Sequence, residues 1–439
     1  EYEEVRGRNP VAAVRPPLGI SSPRGHGSNR GEMKDLGHRL PVSPAVICLA
    51  VAVLAAGIFL LNLTAPLYFV LDEWDLVLLR QGWDADAFLA PFHEHIVLAP
   101  SFIYHVLLGI FGQSSARPFQ VTATATFLLC AVLLFVWMRR RVGDWAALIG
   151  TIMILFLGAA FEDLVWSFQI GYFGSIAGGL GALVALDRDD RKGDVIASVL
   201  LLVSVTFSSL ALPFIAGAWA EWYLNPRTKR DRLFMPLVST VFYALWWLGW
   251  GHDAESSLSF ANLLDSPRYM FEAASAGFTS LFGLATGDGS EPSQPHLIWG
   301  RIMLVAFIAL GWWRVRKTGF SRSLAVVLVI ALVSLFLTAL NHNDLRPPTS
   351  SRYQLATSIF ILLIAAELLR GVKFKPAVLA VAAVVAALSI SGGISLMRDQ
   401  VDTRWTPNSE NTRASLAALT IAGDSMADDF QIDLGLEEP

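Results

Sequence analysis

Long runs of apolar residues, separated by short polar connectors, cover most of the chain between residues 44 and 395. A helix needs about 20 apolar residues to cross the hydrocarbon core of a membrane. Runs of roughly this length lie at 44–64, 119–138, 144–161, 170–186, 234–250, 296–313, 322–340, 353–369 and 376–395. Their length and low charge predict an all-α protein, a polytopic bundle of transmembrane helices.

Two further apolar stretches do not have the length of one simple span. The stretch 96–112 is too short, and 195–224 would be about 45 Å long as one straight helix. We predict that 96–112 is an interfacial or re-entrant helix that does not cross. We predict that 195–224 leaves and returns as two short helices, broken near 208–213, where Pro213 ends the first helical pattern.

The distribution of Lys and Arg between the runs leads to this interpretation. Five connectors are basic, and the positive-inside rule places all of them in the cytoplasm. This placement gives about 11 spans, a cytoplasmic N-terminus and an extracytoplasmic C-terminus. The basic connectors are 139–141, 188–192, 227–232, 314–322 and 370–375.

Composition agrees with a multi-pass protein of the cell membrane. The 439 residues are 54% hydrophobic and only 16% charged, whereas soluble domains carry about a quarter charged residues. Mean hydropathy is +0.51, and the formal net charge of −4 offers no case for nucleic acid as a partner. Cys48 and Cys130 both lie in apolar runs, so we expect no disulfide framework and no metal-thiolate site.

The chain divides into three parts. Residues 1–40 are rich in Arg, Pro, Gly and Ser, which predicts a disordered cytoplasmic tail. Residues 41–395 form the transmembrane domain, whose largest outer segments are 65–118 and 251–295; within the second, 260–284 has the pattern of an amphipathic surface helix. Residues 396–439 are predicted to be a polar extracytoplasmic tail.

The segment 71–100 collects many ionisable side chains directly after the first span. If the helix continues there, Asp72 and Asp75 lie on one face at spacing i, i+3, and Glu73 points aside. Paired carboxylates that are partly removed from water have raised and separated proton affinities, which suits a general base. The alternative is a solvated helix end that Trp74 anchors at the membrane surface.

The tripeptide His93-Glu94-His95 is the second group of polar residues in this segment. Metal ligands on a helix usually lie three or four positions apart. The observed spacing therefore favours contacts with a sugar or a phosphate, or a structural pairing, over a metal site. We predict no cofactor, with a divalent metal as the alternative.

Two later outer segments add polar side chains. Glu162 and Asp163, followed by Trp166 and Gln169, combine acids, an indole and an amide, which is typical of a carbohydrate-binding surface; the alternative is a charged helix end. The segment 341–352 is rich in cationic donors and is stiffened by two prolines. An arginine binds phosphate through its planar guanidinium group. By the positive-inside rule, arginines without a specific role are uncommon in extracytoplasmic segments. The candidate residues of this segment and the position after it are His342, Arg346, Arg352 and Tyr353.

This layout resembles that of the GT-C superfamily of membrane glycosyltransferases. The similarity rests on the acidic and Trp-Asp residues after the first span, the stretch HEHIVLAP at 93–100 and the later acidic pair, and it covers 65–170 in detail. The sequence shows no clean Asp-Asp or Lys-Pro-Pro element, and we expect no C-terminal soluble domain. The resemblance implies that Asp72 or Glu73 is the catalytic base, that Glu162 is the acidic residue of the second outer loop, and that Arg352 contacts the lipid phosphate.

We therefore expect an inverting glycosyltransferase of the cell envelope. It would use a polyprenyl-phosphate-linked sugar from the lipid bilayer and an acceptor at the extracytoplasmic face, with Asp75 assisting Asp72 and Arg346 assisting Arg352. Two alternatives remain: a lipid or solute transporter or flippase, and a non-catalytic membrane assembly protein. The residues expected to hold sugars are His93, Glu94, His95, Glu162 and Gln169.

Overall fold

The computed structural model describes residues 43–227, 229–254, 256–286 and 294–422. The predicted disordered tail 1–40 and the last part of the predicted outer tail lie outside these ranges. Within them the all-α prediction is confirmed: helices account for nearly all regular structure, and the exception is an antiparallel pairing of β1 (Ala285–Thr286) with β2 (Gln294–Pro295).

The helices follow the apolar runs closely. Besides the α-helices, π-helical turns occupy Asp75–Leu79 and Val401–Trp405. The α-helices are α1 (Pro44–Leu63), α2 (Ala85–Leu89), α3 (Leu98–Phe111), α4 (Arg117–Val142), α5 (Asp144–Leu155), α6 (Phe161–Val165), α7 (Ile170–Leu186), α8 (Arg191–Phe207), α9 (Leu212–Leu224), α10 (Lys229–Arg232), α11 (Phe234–Gly249), α12 (Phe260–Leu281), α13 (Leu297–Thr318), α14 (Arg322–Leu340), α15 (Ser351–Leu368), α16 (Pro376–Gln400) and α17 (Thr406–Ala422).

Several of these helices are long and apolar enough to cross a membrane. By length and composition there are 7 such helices in the described ranges, or 8 if the bent pair Asp144–Leu155 and Gly158–Val165 is one span. The protein is therefore a multi-pass helical membrane protein. The predicted total of about 11 also counts α8, α9 and α11, which have 17, 13 and 16 residues; that total stays a prediction.

The basic connectors meet at one end of the bundle, which we call the basic pole. Arg141 at the end of α4 pairs with Asp187 at 2.8 Å and also with Glu367 near the end of α15. Arg322 at the start of α14 reaches Glu221 of α9 at 3.2 Å. Since residues so far apart in sequence pair here, the connectors that the positive-inside rule groups together are also together in space.

The stretch 195–224 is broken where the sequence predicts. Helix α8 ends at Phe207 and α9 begins at Leu212. Both outer ends of the pair lie at the basic pole, since Arg232 contacts Asp194 of α8 at 2.8 Å and Glu221 of α9 at 3.4 Å. The stretch therefore leaves the pole and returns to it. One detail was wrong: Pro213 lies in the first turn of α9 rather than ending α8, because the first turn of a helix tolerates a proline.

Helix α12 differs from the predicted surface helix over 260–284. Its first half is exposed, with Phe260 at 73% and Leu264 at 68% exposure. Its second half is buried against α13, α14 and α15. The small side chains of Ala273, Ser275 and Ala276 allow this close packing, and a hydrophobic periodicity by itself does not distinguish lipid from protein as the buried side.

Candidate functional site

A cavity of about 220 Å³ lies at the end of the bundle opposite the basic pole. Side chains from the first outer loop, from the turn before α7 and from the start of α15 line it. Most of the predicted site residues are brought together there. Those that line the cavity are Asp72, His93, Glu94, His95, Gln169, Arg346, Arg352 and Tyr353.

Asp72 enters the cavity because the chain does not continue α1 as a regular helix. Leu71 has a φ of +51°, in a left-handed region that a bulky residue rarely adopts. The backbone turns there and then forms the π-helical turn from Asp75. Asp72 is close enough to Arg352 for an electrostatic interaction.

The other two predicted catalytic carboxylates lie elsewhere, which corrects the expected pairing on one helix face. Asp75 accepts a hydrogen bond of 2.5 Å from Nε of Arg80, whose Nη atoms donate to two backbone carbonyls. The side chain of Asp75 is directed to Arg80 within the loop, whereas Asp72 lines the cavity. Asp75 thus holds the loop instead of assisting Asp72.

Glu73 points into the protein core. It is 2% exposed and accepts hydrogen bonds from the Tyr104 hydroxyl at 3.0 Å and the Val70 amide at 3.1 Å. Burial outweighs these hydrogen bonds and raises the pKa of Glu73 to about 8. A carboxyl group that is protonated at neutral pH and absent from the cavity wall is better suited to anchoring the loop than to catalysis.

The raised pKa of Glu73 predicts a pH-dependent stability. The folded protein keeps this proton up to a pH of about 8, while the unfolded chain loses it near 4.5. The stabilisation is therefore complete at low pH and is lost as the pH rises through this window. Between about pH 6 and about pH 7.5 we expect the free energy of unfolding to fall by about 2 kcal/mol.

Thermal unfolding in detergent at several pH values measures this slope. Glu73→Gln mimics the protonated carboxyl and should remove the slope, whereas Asp253→Asn, at an exposed carboxylate, should keep it. A Glu73→Gln variant with the wild-type pH dependence would contradict the assignment.

The tripeptide 93–95 is fixed by a tight backbone turn. The amides and carbonyls of Phe92 and His95 bond to each other at 3.0 and 2.9 Å, and His93 between them has a φ of +47°. His93, Glu94 and His95 all reach the cavity as a result. Two of the three non-glycine residues with positive φ in the described ranges, Leu71 and His93, thus adjoin this site, where strained backbone is often found.

Glu94 and Arg346 form an ion pair on the cavity wall, with Nη1 donating to Oε1 at 2.6 Å. Although burial raises it, the pKa of Glu94 is held below its ordinary value by His95 and Arg346. Burial lowers the pKa of His95. Its Nε2 lies 3.2 Å from the Tyr172 hydroxyl and its Nδ1 lies 3.4 Å from Ser208. An imidazole between two hydroxyl groups suits a hydrogen-bonding wall.

Glu162 lies behind the cavity rather than in its wall. Its two carboxylate oxygens face two guanidinium groups, Arg352 at 3.8 Å and Arg404 at 3.5 Å. Its backbone amide donates to the Ser351 hydroxyl at 3.2 Å, which joins the segment to the start of α15. Glu162 therefore orients the arginines instead of meeting a ligand from the cavity side.

Asp163 and His342 are not in the cavity wall either. Asp163 is 1% exposed and turns into the bundle beside Glu162. The Nδ1 of His342 lies 2.8 Å from the carbonyl of Ala339, and its ring lies 5.1 Å from that of Tyr269. His342 therefore lies at the end of α14, where the chain turns away before it reaches Arg346. Among the described residues, no group of three or more His, Cys, Asp or Glu side chains could hold a metal ion.

Several residues of the site were missed by sequence reasoning. Tyr172 and Tyr243 line the cavity from within apolar runs, where a tyrosine carries no signal of its own. Arg404 and Trp405 belong to the segment predicted as an outer tail, yet Trp405 is 3% exposed and its ring lies 5.5 Å from that of Trp166. The available signal was an arginine outside the membrane, which the positive-inside rule already marks as unusual.

One part of the cavity wall is apolar. Leu212 and Pro213 of α9, Leu335 of α14 and Ala356 of α15 line it. The wall on α14 extends from Asn341 back to Ser334, which is about 10 Å along the helix axis. The cavity thus joins a charged region, which Asp72 and Arg352 both line, to an apolar region between helices.

No protein-family model matches this chain, and comparison with curated proteins and with solved structures gives no match. The fold and the site therefore define the class of the protein: a multi-pass helical membrane protein with a charged cavity at one end.

Proposed function

We propose that the protein is an integral membrane glycosyltransferase of GT-C type, which transfers a sugar from a polyprenyl-phosphate donor to an acceptor at the extracytoplasmic face. The observation that carries the proposal is that Asp72 and Arg352 line the same cavity and are close enough to interact electrostatically. Such a site combines a carboxylate that can accept a proton with a cation that can stabilise a phosphate.

The reaction needs one base and one stabilised leaving group. Asp72 takes the proton of the acceptor hydroxyl, and the oxygen attacks the anomeric carbon from the face opposite the phosphate. The bond between the anomeric carbon and the phosphate oxygen breaks, so the configuration inverts and polyprenyl phosphate leaves. Arg352 contributes most as this bond breaks, because negative charge then grows on the phosphate.

The remaining polar wall suits a sugar. Glu94, with its oxygens oriented by Arg346, accepts hydrogen bonds from hydroxyl groups, and Gln169 can donate and accept. His93 and His95 lie beside them, and the indole of Trp166 also lines the cavity. Since Arg346 is already bonded to Glu94 at 2.6 Å, Arg352 is the better of the two predicted arginines for phosphate.

The apolar wall suits the lipid part of the donor. Helix α11 packs on α8 and α9, whereas α12 packs on α13, α14 and α15. Tyr243 of α11 lines the cavity on one side, and Ala273 of α12 and Leu335 of α14 line it on the other. In the proposed complex the polyprenyl chain leaves the cavity between these two groups of helices.

The proposal includes the finer topology, with about 11 crossings and a cytoplasmic N-terminus. Helices α8, α9 and α11 would be short crossings, and α5 with α6 a bent one. The contacts at the basic pole support this arrangement, because they alternate along the chain with segments that reach the cavity. The positive-inside rule then assigns the cavity to the outer side.

A transfer assay tests the function. The purified protein in lipid nanodiscs is given a panel of polyprenyl-phosphate sugars, labelled in the sugar, and release of free polyprenyl phosphate is followed together with label in the acceptor. We expect polyprenyl phosphate to be released only in samples that contain the folded protein. If intact sugar-lipid instead changes leaflet in liposomes without cleavage, the protein is a transporter, which the broken stretch 195–224 would also suit.

A further inference from the structure

The basic pole contains cations with and without a neighbouring acid. Some of its exposed arginines pair with a carboxylate, as Arg140 does with Asp187 at 3.2 Å. The connectors after α13 and after α15 differ, because together they contain six cations and no acid. These cations are Arg314, Arg316, Lys317, Arg370, Lys373 and Lys375.

The two connectors lie side by side. Nε of Arg314 donates to the carbonyl of Leu368 at 3.0 Å, and its Nη2 donates to the carbonyl of Arg370 at 3.2 Å. The end of α13 is thus fixed against the end of α15. The exposed cations of both connectors therefore belong to one surface, which we call the cationic rim and define as Arg316, Lys317, Lys373 and Lys375.

The backbone holds the rim cations toward the outside of the bundle. Phe374 packs against the hydrophobic core, and the chain around it is extended, with Lys375 at φ −70° and ψ 145°. Successive side chains of an extended chain point to opposite sides. Lys373 and Lys375 are exposed accordingly, and so are Arg316 and Lys317 at the end of α13.

The charge of the rim is not neutralised by acids of its own segments. Between positions 292 and 398 the sequence contains two acids, Asp344 and Glu367. Asp344 belongs to the connector near the cavity, at the other end of the bundle. The Glu367 side chain is 0% exposed and faces Arg141 and Arg370. The rim is therefore a fixed surface with an excess of positive charge.

The rim lies at the depth of phospholipid headgroups. Helix α13 is apolar enough to cross a membrane and has 22 residues, so it is about 33 Å long, slightly more than the hydrocarbon core of about 30 Å. Its last turn, with Arg316 and Lys317, then emerges at the membrane surface. Trp312 and Trp313 lie one turn earlier and are 61% and 54% exposed, and tryptophan is enriched at this depth.

Each of these indoles lies next to one rim cation. The guanidinium of Arg316 lies 4.7 Å from the centre of the Trp312 ring, and the ammonium of Lys317 lies 4.0 Å from that of Trp313. Such contacts hold a cation beside an aromatic ring. The arrangement combines an interfacial aromatic pair with cations at the level of lipid phosphates.

We propose that the cationic rim binds the headgroups of anionic phospholipids in the leaflet that meets the basic pole. An anionic headgroup supplies the negative charge that the rim lacks, whereas a zwitterionic headgroup carries a cation of its own. A Lys or Arg near an anionic membrane surface contributes about fivefold in affinity. The inference concerns the pole opposite the cavity and does not depend on sugar transfer.

Photocrosslinking of the full chain in phosphatidylcholine nanodiscs tests the rim. The discs contain a minor fraction of photoactivatable phosphatidylglycerol or photoactivatable phosphatidylcholine, and crosslinked positions are mapped by peptide mass spectrometry. We expect phosphatidylglycerol to exceed phosphatidylcholine about tenfold or more at 312–320 and 369–378. The preference should weaken in high salt, because salt screens exposed charges.

Two double variants remove the charge from either side of the rim. Arg316→Gln with Lys317→Gln, and separately Lys373→Gln with Lys375→Gln, should each reduce the phosphatidylglycerol preference about fivefold or more. The unfolding midpoint in phosphatidylcholine alone should stay at the wild-type value, because all four side chains are exposed.

The matched control is Arg140→Gln with Arg188→Gln. It removes the same charge from the same pole, but each of these arginines pairs with an acid, at 3.2 and 3.1 Å. The control should keep the wild-type preference at the rim. An equal loss in the control and in the rim variants would overturn the proposal, because the attraction would then belong to the pole as a whole. Equal crosslinking of the two lipids to the wild-type rim would overturn it as well.

Discussion

Replacement of Asp72 by Asn is expected to lower the rate of sugar transfer about a thousandfold, because a positioned general base contributes 10²- to 10⁴-fold. The amide keeps the shape of the side chain but cannot take the proton of the acceptor hydroxyl. Donor binding should survive, since Arg352 and the apolar wall remain. The measurement is the transfer rate at saturating donor, with donor affinity measured separately.

The neighbouring acids provide matched controls. Asp75→Asn changes a carboxylate that pairs with Arg80, and Glu73→Gln changes one that is buried against Tyr104. Neither lines the cavity, so both variants should keep transfer within about tenfold of wild type once their stability is taken into account. If Asp72→Asn retained a rate similar to theirs, Asp72 would not be the base.

The second large effect is expected at the basic pole, where Arg141→Gln should lower the free energy of unfolding by about 3 kcal/mol. The Arg141 side chain is 2% exposed and pairs with Asp187 and with Glu367, whose side chain is 0% exposed. Its guanidinium also lies 3.4 Å from the centre of the Trp137 ring. Its removal leaves Glu367 buried, with only the more distant Arg370 at 3.5 Å.

Arg140→Gln is the control, because Arg140 pairs with the same Asp187 at 3.2 Å but is 47% exposed. An exposed pair contributes about 1 kcal/mol or less. Unfolding titrations in mixed detergent compare the variants, and the double variant Arg141→Gln with Glu367→Gln should recover part of the loss. Equal effects of Arg140→Gln and Arg141→Gln would contradict the buried network.

The sequence was most informative where the membrane restricts the chain strongly. A stretch that lies in hydrocarbon must be apolar and must satisfy its backbone hydrogen bonds internally, so the helices can be predicted from hydropathy alone. The positive-inside rule is similarly general. It groups the basic connectors on one side of the membrane, and in the structure they meet at the basic pole. The break near 208–213 could be predicted because a single helix over 195–224 would be too long for a simple span.

The individual roles within the acidic segment could not be predicted. Asp72, Glu73 and Asp75 are nearly equivalent by residue type and position. The positions of their side chains depend on the left-handed backbone of Leu71. They also depend on partners such as Tyr104, which is 31 positions away from Glu73. Neither appears in any local pattern.

The residue types and their order by themselves determined a helical membrane protein with its cationic connectors at one end and ionisable side chains at the other, because transfer into hydrocarbon acts on each segment separately. Only the tertiary structure decided that Asp72 lines the cavity with Arg352, which acids hold the loop, and that Glu162 pairs with both Arg352 and Arg404. These outcomes depend on contacts between distant segments, and such contacts form only when the whole bundle packs.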